Sequence, residues 1–247
     1  MKSLVEKYSD FVDELKFSRR HFLSESSNEF LSNLKELAGQ RTFPLKQGEL
    51  LYRARKNEYI NHEPSYTARP PEEMKPRLNM KAEGRANPYN ITMMYLASSE
   101  ETAISEVRPD VRFPVTVGEF KVVRELKLVD FVSLRPSFAA YCRNPDVSED
   151  VHLWLALRGD YSRALYKEEQ RINYLPTQVI AEYFKVHGFD GLIYQSQFNA
   201  QKVSSKGEDI AKNFVLFDAD AVEHVKSEVW KIREQSVLVE KCVESGG

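Results

Sequence analysis

Arginine, glutamate, tyrosine and serine are the residues through which this chain can do chemistry, because the residues for the common alternatives are missing or scattered. There is no G-x-x-x-x-G-K-[ST] phosphate loop and no G-x-G-x-x-G turn, and only 10 glycines are available to build either. His21, His62, His152, His187 and His224 stand apart from one another, and no H-E-x-x-H or paired C-x-x-C occurs, so no metal site is expected. The G-x-S-x-G turn of serine hydrolases is absent as well. Four short blocks remain: Leu51-Tyr52-Arg53; Gly84-Arg85-Ala86-Asn87-Pro88; Tyr95-Leu96-Ala97 followed by Thr102-Ala103-Ile104-Ser105-Glu106; and Asp190-Gly191-Leu192-Ile193-Tyr194-Gln195-Ser196. Guanidinium forks grip phosphate oxygens in pairs and stay charged. A fixed carboxylate stabilises positive charge that develops during a reaction. A tyrosine ring stacks while its hydroxyl bonds, and a serine hydroxyl both donates and accepts.

These blocks must be carried by elements that bring them together. Residues 4–39 read as helix, with Val5, Tyr8, Phe11, Val12, Leu15 and Phe17 and then Phe22, Phe30, Leu31, Leu34 and Leu37 at helical spacing. The stretch Ser24 to Asn28 divides this run into two helices, one of its residues capping the second, and Gly39 ends it. Their apolar stripe packs on the domain behind or on a partner. Gly48 to Arg55 alternates as a strand. Lys56 to Asn90 holds Pro64, Pro70, Pro71, Pro76 and Pro88 and no sustained period, so a long irregular segment is expected, functional or disordered. A strand at Met93–Ala97 leads to a helix capped by Ser98 or Ser99, with Ser98 and Glu101 at capping-box spacing, and this helix ends before Pro109. Strands follow at Val115–Val123 and Leu126–Ser133, helix over Val151–Glu169, and helix from Pro176 to Gly188. Strands at Gly191–Gln195 and Asn213–Phe217 and a β-rich tail at Ala221–Lys231 complete the series. Short strands interspersed with a few helices predict an α+β fold.

Composition narrows the class without naming a function. The 247 residues carry 35 Lys+Arg against 37 Asp+Glu, a net charge of -2, and lack the basic excess of a broad nucleic-acid surface. A hydrophobic content of 42% supports a real core. No apolar run reaches the ~18–20 residues of a membrane span, and the charged amino terminus does not read as a secretory signal. Cys142 and Cys242 form neither a disulfide framework nor a zinc site. A cytoplasmic globular protein is the expectation.

Taken in order, the four blocks resemble the RES domain family, named for its Arg, Glu and Ser, and Asn213-Phe214-Val215-Leu216-Phe217 is similar to that family's closing strand. The resemblance spans about residues 50–217. It implies an ADP-ribosyltransferase-like mixed β core with surrounding helices. Residues 1–47 would then be an N-terminal helical extension, 48–235 the RES domain and 236–247 a flexible tail. It implies cleavage of the nicotinamide–ribose bond of NAD, which is a substrate and not a bound cofactor, with water or phosphate as acceptor. It further implies the toxin of a bacterial toxin–antitoxin pair, with a protein antitoxin or a second copy of the chain as partner. An ADP-ribosyltransferase acting on a macromolecule and a non-catalytic NAD-sensing module are the alternatives.

Carried over residue by residue, the family's Arg falls on Arg53, its Gly-Arg on Gly84-Arg85, its Tyr on Tyr95, its Glu on Glu106 and its Ser on Ser196. Glu106, Arg53 and Tyr95 are the expected catalytic set; Arg53, Arg85, Tyr95 and Ser196 the expected NAD-binding set. On this reading Arg53 and Arg85 take the pyrophosphate, while Glu106 faces the positive charge of an oxocarbenium-like ribose. Tyr95 stacks on the substrate or orients Glu106 through its hydroxyl, and Ser196 bonds the ribose or the carboxamide. Arg55 shares the strand face of Arg53, so either can be the phosphate ligand. The sequence departs from the family at Ala86 and Asn90, where an aromatic residue and a glycine are usual. Asn tolerates positive φ, so the turn survives, and Tyr89 is a candidate to replace the aromatic wall. His62, Arg69 and Arg77 are accessory candidates from the proline-rich segment. Each of these side chains also has a plain reading as core or solvated surface.

Overall fold

The computed structural model describes residues 2–76, 83–111, 113–133, 149–163, 167–197 and 210–233. Cys142, Cys242, Arg77 and the tail 236–247 lie outside them. The first two helices form where the apolar spacing places them, α1 at Leu4–Phe17 and α2 at Glu25–Gly39. Ser3 caps α1 in a reciprocal capping box with Glu6, and Ser24 caps α2 by accepting from the Ser27 N–H. Phe11, Phe30 and Leu34 are fully buried, and the pair packs on two later helices, α5 (Glu149–Ser162) and α7 (Leu175–Val186). The stripe therefore covers the domain behind it. A short α6 (Lys167–Asn173) joins α5 to α7.

Residues 42–45, expected to belong to a helical extension, form strand β1 (Thr42–Leu45) at one edge of the main sheet. With only four residues and a proline in the middle, β1 lacks a periodicity that single-sequence reading detects. The remaining main-sheet strands are β2 (Leu50–Lys56), β5 (Met94–Ala97), β6 (Pro114–Val122), β7 (Leu126–Asp130), β8 (Gly191–Gln195), β9 (Lys212–Leu216) and β10 (Val222–Lys231). The segment after β2 is less irregular than expected. It holds a two-stranded hairpin, β3 (Tyr59–Ile60) with β4 (Glu63–Pro64), and a single helical turn, α3 (Pro71–Met74). Asn61 and His62 at the hairpin tip have φ of 53° and 67°, the paired positive values of a type I′ turn.

The eight strands run β1-β7-β8-β9-β5-β2-β6-β10, parallel only at β7–β8, where α5 to α7 make the crossover. The fold is α+β, a mixed sheet with helices packed on it. One face carries α1, α2, α5 and α7 over Val129, Phe131, Leu192, Tyr194 and Val215. The other carries two smaller apolar clusters, one around Leu51, Met94, Phe120 and Leu128, the second beneath α4 (Glu100–Glu106). The sheet is weakest in the middle: β2 and β5 are neighbours through the single pair Tyr52↔Ala97, whereas β2 and β6 share seven pairs from Leu50 to Lys56. The sheet splits there, and the split creates the site.

Candidate active site

Arg53 sits at the opening between β2 and β5. Its Nη1 donates to the Tyr95 carbonyl at 3.2 Å and lies 3.6 Å from Met94 Sδ, so the guanidinium occupies backbone that a regular ladder would have paired. No carboxylate pairs with it among the described residues. Burial, with a smaller push from Arg55, lowers its pKa to about 10, which leaves it cationic at neutral pH. Arg55 is committed elsewhere: its Nη1 donates to the Glu73 carbonyl of α3. Of the two arginines on this strand face, Arg53 lines the cavity and Arg55 does not.

The cavity, about 230 Å³, is lined by Tyr52, Arg53, Tyr95, Glu106, Tyr194 and Asn213 among others. Glu106 enters it from the last residue of α4. The helix starts where Ser99 accepts from the Thr102 N–H. Ser98, the alternative cap with Glu101, instead accepts from the Lys212 N–H of β9 and ties the strand end to the helix start. A carboxylate at a helix C-terminus faces the negative end of the dipole, so it needs partners. Ser196 Oγ donates to Glu106 Oε1 at 2.6 Å, and Asn213 Nδ2 donates to the same oxygen at 2.6 Å. Both anchors come from strand ends, Ser196 just after β8 and Asn213 on β9, adjacent strands that place two donors side by side. Ser196 is 1% exposed, so its hydroxyl serves the carboxylate and does not open to the cavity.

Tyr95 is also held, but not by Glu106. Its hydroxyl donates to Asn87 Oδ1 at 2.7 Å and accepts from the Ala86 N–H at 3.1 Å. The expectation that this hydroxyl orients the acid is therefore replaced by the Ser196–Asn213 pair. Burial raises the Tyr95 phenol to about 12, so it stays neutral. Gly84 has a steric reason to be glycine: a Cβ there would lie 2.6 Å from the Tyr95 hydroxyl and 2.7 Å from Asn87 Oδ1. The loop is pinned from α7, where Gln178 Nε2 donates to the carbonyls of Gly84 and Asn87 and Thr177 Oγ1 to that of Arg85. Asn90 takes φ 66°, the left-handed value for which a glycine is usual.

Arg85 does not line the Arg53–Glu106 cavity. Its Nη1 donates to the Tyr161 carbonyl of α5 at 2.5 Å, and the guanidinium lies 5.8 Å from the Tyr174 ring centre. It stands behind the cavity wall: the Tyr194 phenol, raised chiefly by burial, feels Tyr95, Arg85 and Glu106 together. A second hollow of about 180 Å³ opens on the other side of Arg53 and Tyr95, toward Gly84, Asn87 and Ile91. Ala86, which stands where the family usually has an aromatic residue, is fully buried in the core under the helices. Tyr89 is 53% exposed and lines neither hollow, so it does not replace that aromatic residue. Arg69 is a structural clamp, bonded to Glu58, Glu73 and the Lys56 carbonyl. His62 is an exposed turn residue.

Sequence reasoning missed Asn213, Asn87, Thr177 and Gln178 as parts of this machinery. All four are buried polar residues. The one signal for Asn213 was an amide heading an otherwise apolar strand. Among the described residues no cluster of three or more His, Cys, Asp or Glu is arranged to hold a metal, and no helix is long and apolar enough to cross a membrane.

Set beside solved structures, the chain is similar to one titled as the crystal structure of the M. tuberculosis MbcT–MbcA toxin–antitoxin complex, at 12% identity and a TM-score of 0.42, covering 80% of this chain and 92% of that one. No curated protein matches the sequence. The RES domain pattern matches residues 50–235, the stretch that contains Arg53, Arg85, Tyr95, Glu106 and Ser196, and by that match the chain belongs to the RES domain family.

Proposed function

We propose that this protein degrades NAD by cleaving its nicotinamide–ribose bond at the Arg53–Glu106 cavity. The observation that carries the reading is a half-buried guanidinium, with no carboxylate partner among the described residues, facing the same cavity as an acid held by two donors. A partly desolvated cation with no acid beside it is less favourable in the folded state than one in water; an anionic substrate supplies the missing charge. Arg53 binds a phosphate oxygen of NAD, and the rings of Tyr95 and Tyr194 wall the ribose and nicotinamide. Glu106 Oε1 is fixed by Ser196 and Asn213, which leaves Oε2 for the ribose hydroxyls and for the positive charge that grows at the anomeric carbon. The bond's electron pair leaves with nicotinamide, whose positively charged ring nitrogen makes it a good leaving group, and the acceptor attacks the carbon. Ser196 is a positioning residue in this scheme, and so is Asn213. Arg85 is withdrawn to the Tyr161 carbonyl and reaches substrate after a side-chain movement.

Water or phosphate is the acceptor, and the cellular role is that of a growth-arresting toxin held in check by a protein partner. The alternatives, transfer of ADP-ribose to a macromolecule and non-catalytic sensing, differ in what becomes of NAD. The test is a time course of NAD loss with purified protein, with and without inorganic phosphate, resolved by mass spectrometry. Free nicotinamide with ADP-ribose or its 1″-phosphate is the expected result. ADP-ribose appearing on protein or nucleic acid supports transfer, and NAD that is bound but unchanged contradicts the enzyme.

A further inference from the structure

A groove of about 540 Å³ lies beside Glu106, on the far side of its serine anchor. Helix α5 presents Leu155, Arg158, Gly159 and Ser162 along one face, at the i, i+3, i+4, i+7 spacing, and the end of β8 supplies Gln195, Ser196 and Gln197 opposite. Arg158 Nη2 donates to Gln195 Oε1, which leaves the Gln195 amide nitrogen, with its two N–H donors, on the other side of that contact. Ser162 Oγ is buried without a hydrogen-bond partner, an arrangement that native proteins rarely keep unless something else satisfies the group. Among the described residues no carboxylate lines the groove and none pairs with Arg158. A Cβ on Gly159 would meet no atom within 4 Å, so the groove is open above that position. The groove and the Glu106 cavity share one hydrogen bond, Ser196 Oγ to Glu106 Oε1 at 2.6 Å.

We propose that this groove is a phosphate-binding subsite of the NAD-cleaving site, an inference that rests on the reading given above. A guanidinium, an amide and an unsatisfied hydroxyl converging with no acid among the described lining residues fit a tetrahedral oxyanion. The phosphate has two sources with the same chemistry. Inorganic phosphate held there is an acceptor: one of its oxygens forms a bond to the anomeric carbon as the carbon–nitrogen bond breaks. The electron pair of that bond leaves with neutral nicotinamide, and hydrogen phosphate keeps its proton in the ADP-ribose 1″-phosphate product. Alternatively, a phosphate of NAD itself occupies the groove.

The experiment uses the full chain and two variants, Arg158→Gln, which removes the charge, and Gly159→Leu, which fills the groove at a helical position where a side chain meets open space. Steady-state NAD loss is measured across NAD concentration and across inorganic phosphate concentration. If the acceptor binds there, both variants raise the KM for phosphate by about ten-fold or more and leave the KM for NAD unchanged. If a substrate phosphate binds there, the KM for NAD rises by a similar factor whatever the phosphate concentration. Either result supports the subsite, and both constants within about two-fold of the parent in both variants overturn it. Should the parent protein turn over no NAD, the proposed activity fails by itself, and the subsite is then read from the ³¹P line width of inorganic phosphate. Broadening by the parent that both variants lose supports it; no broadening, or equal broadening by all three proteins, overturns it.

Discussion

Glu106 and Arg53 illustrate how the same region treats an acid and a base differently. The acid is exposed at a helix end and receives two hydrogen bonds; the base is half-buried and receives no counter-charge from the described residues. Between them, Tyr95 is fixed by a loop whose glycine has no room for a side chain. Gly84→Ala therefore displaces the Tyr95 hydroxyl and breaks its bonds to Asn87 and the Ala86 N–H. We expect a loss of about 1–3 kcal/mol in denaturant unfolding, together with a raised KM for NAD. A variant as stable and as active as the parent contradicts that packing. Much of this was legible from residue type: an arginine on a strand, a Gly-Arg in a loop and a Glu closing a helix are recognisable in order. The buried amides were not, because Asn87, Gln178 and Asn213 are separated by long stretches of chain and act only through partners that the fold brings near.

At the scale of elements, α1 and α2 lie outside the family match, yet they form one side of the core that the site leans on. Tyr8 donates to Asp160 of α5 at 2.6 Å, and the next residue, Tyr161, offers its carbonyl to Arg85. Phe11 packs against Phe30 with ring centres 5.2 Å apart and is fully buried. Phe11→Ala should cost about 3–5 kcal/mol, read from the shift in the urea midpoint; a change below about 1 kcal/mol would show that the helices are only loosely applied. The helical periodicity of this pair was plain in the sequence, and so were β2, β5, β8 and β9. Strand β1 and the β3–β4 hairpin were not, since two- to four-residue strands are specified by their partners in the sheet and not by their own pattern.

Across the whole molecule, the gathering of tyrosines in one core cluster has a consequence for alkaline stability. Burial raises the phenols of Tyr8, Tyr95, Tyr161 and Tyr194 above their ordinary value of 10, Tyr95 to about 12. A raised pKa in the fold means stability is complete below 10 and declines above it, because the unfolded chain releases protons that the folded chain keeps. Arg53 acts in the opposite sense, its lowered pKa of about 10 adding stability as pH rises toward 12.5. Four phenols outweigh one guanidinium, so the urea midpoint should fall between about pH 9 and about pH 11, and a midpoint that rises over that range would contradict the burial. The arrangement of the sheet, open at its centre where β2 and β5 share one pair, is the feature least visible in the sequence and the one on which the proposed chemistry depends. The most direct measurement is therefore the rate of nicotinamide release from NAD by the parent protein and by Glu106→Gln, with melting temperature recorded for both. Turnover by the parent and a loss of about a hundred- to a thousand-fold in kcat in the variant, at similar melting temperature, is the expected result. Equal rates, or no nicotinamide from either protein, would contradict it.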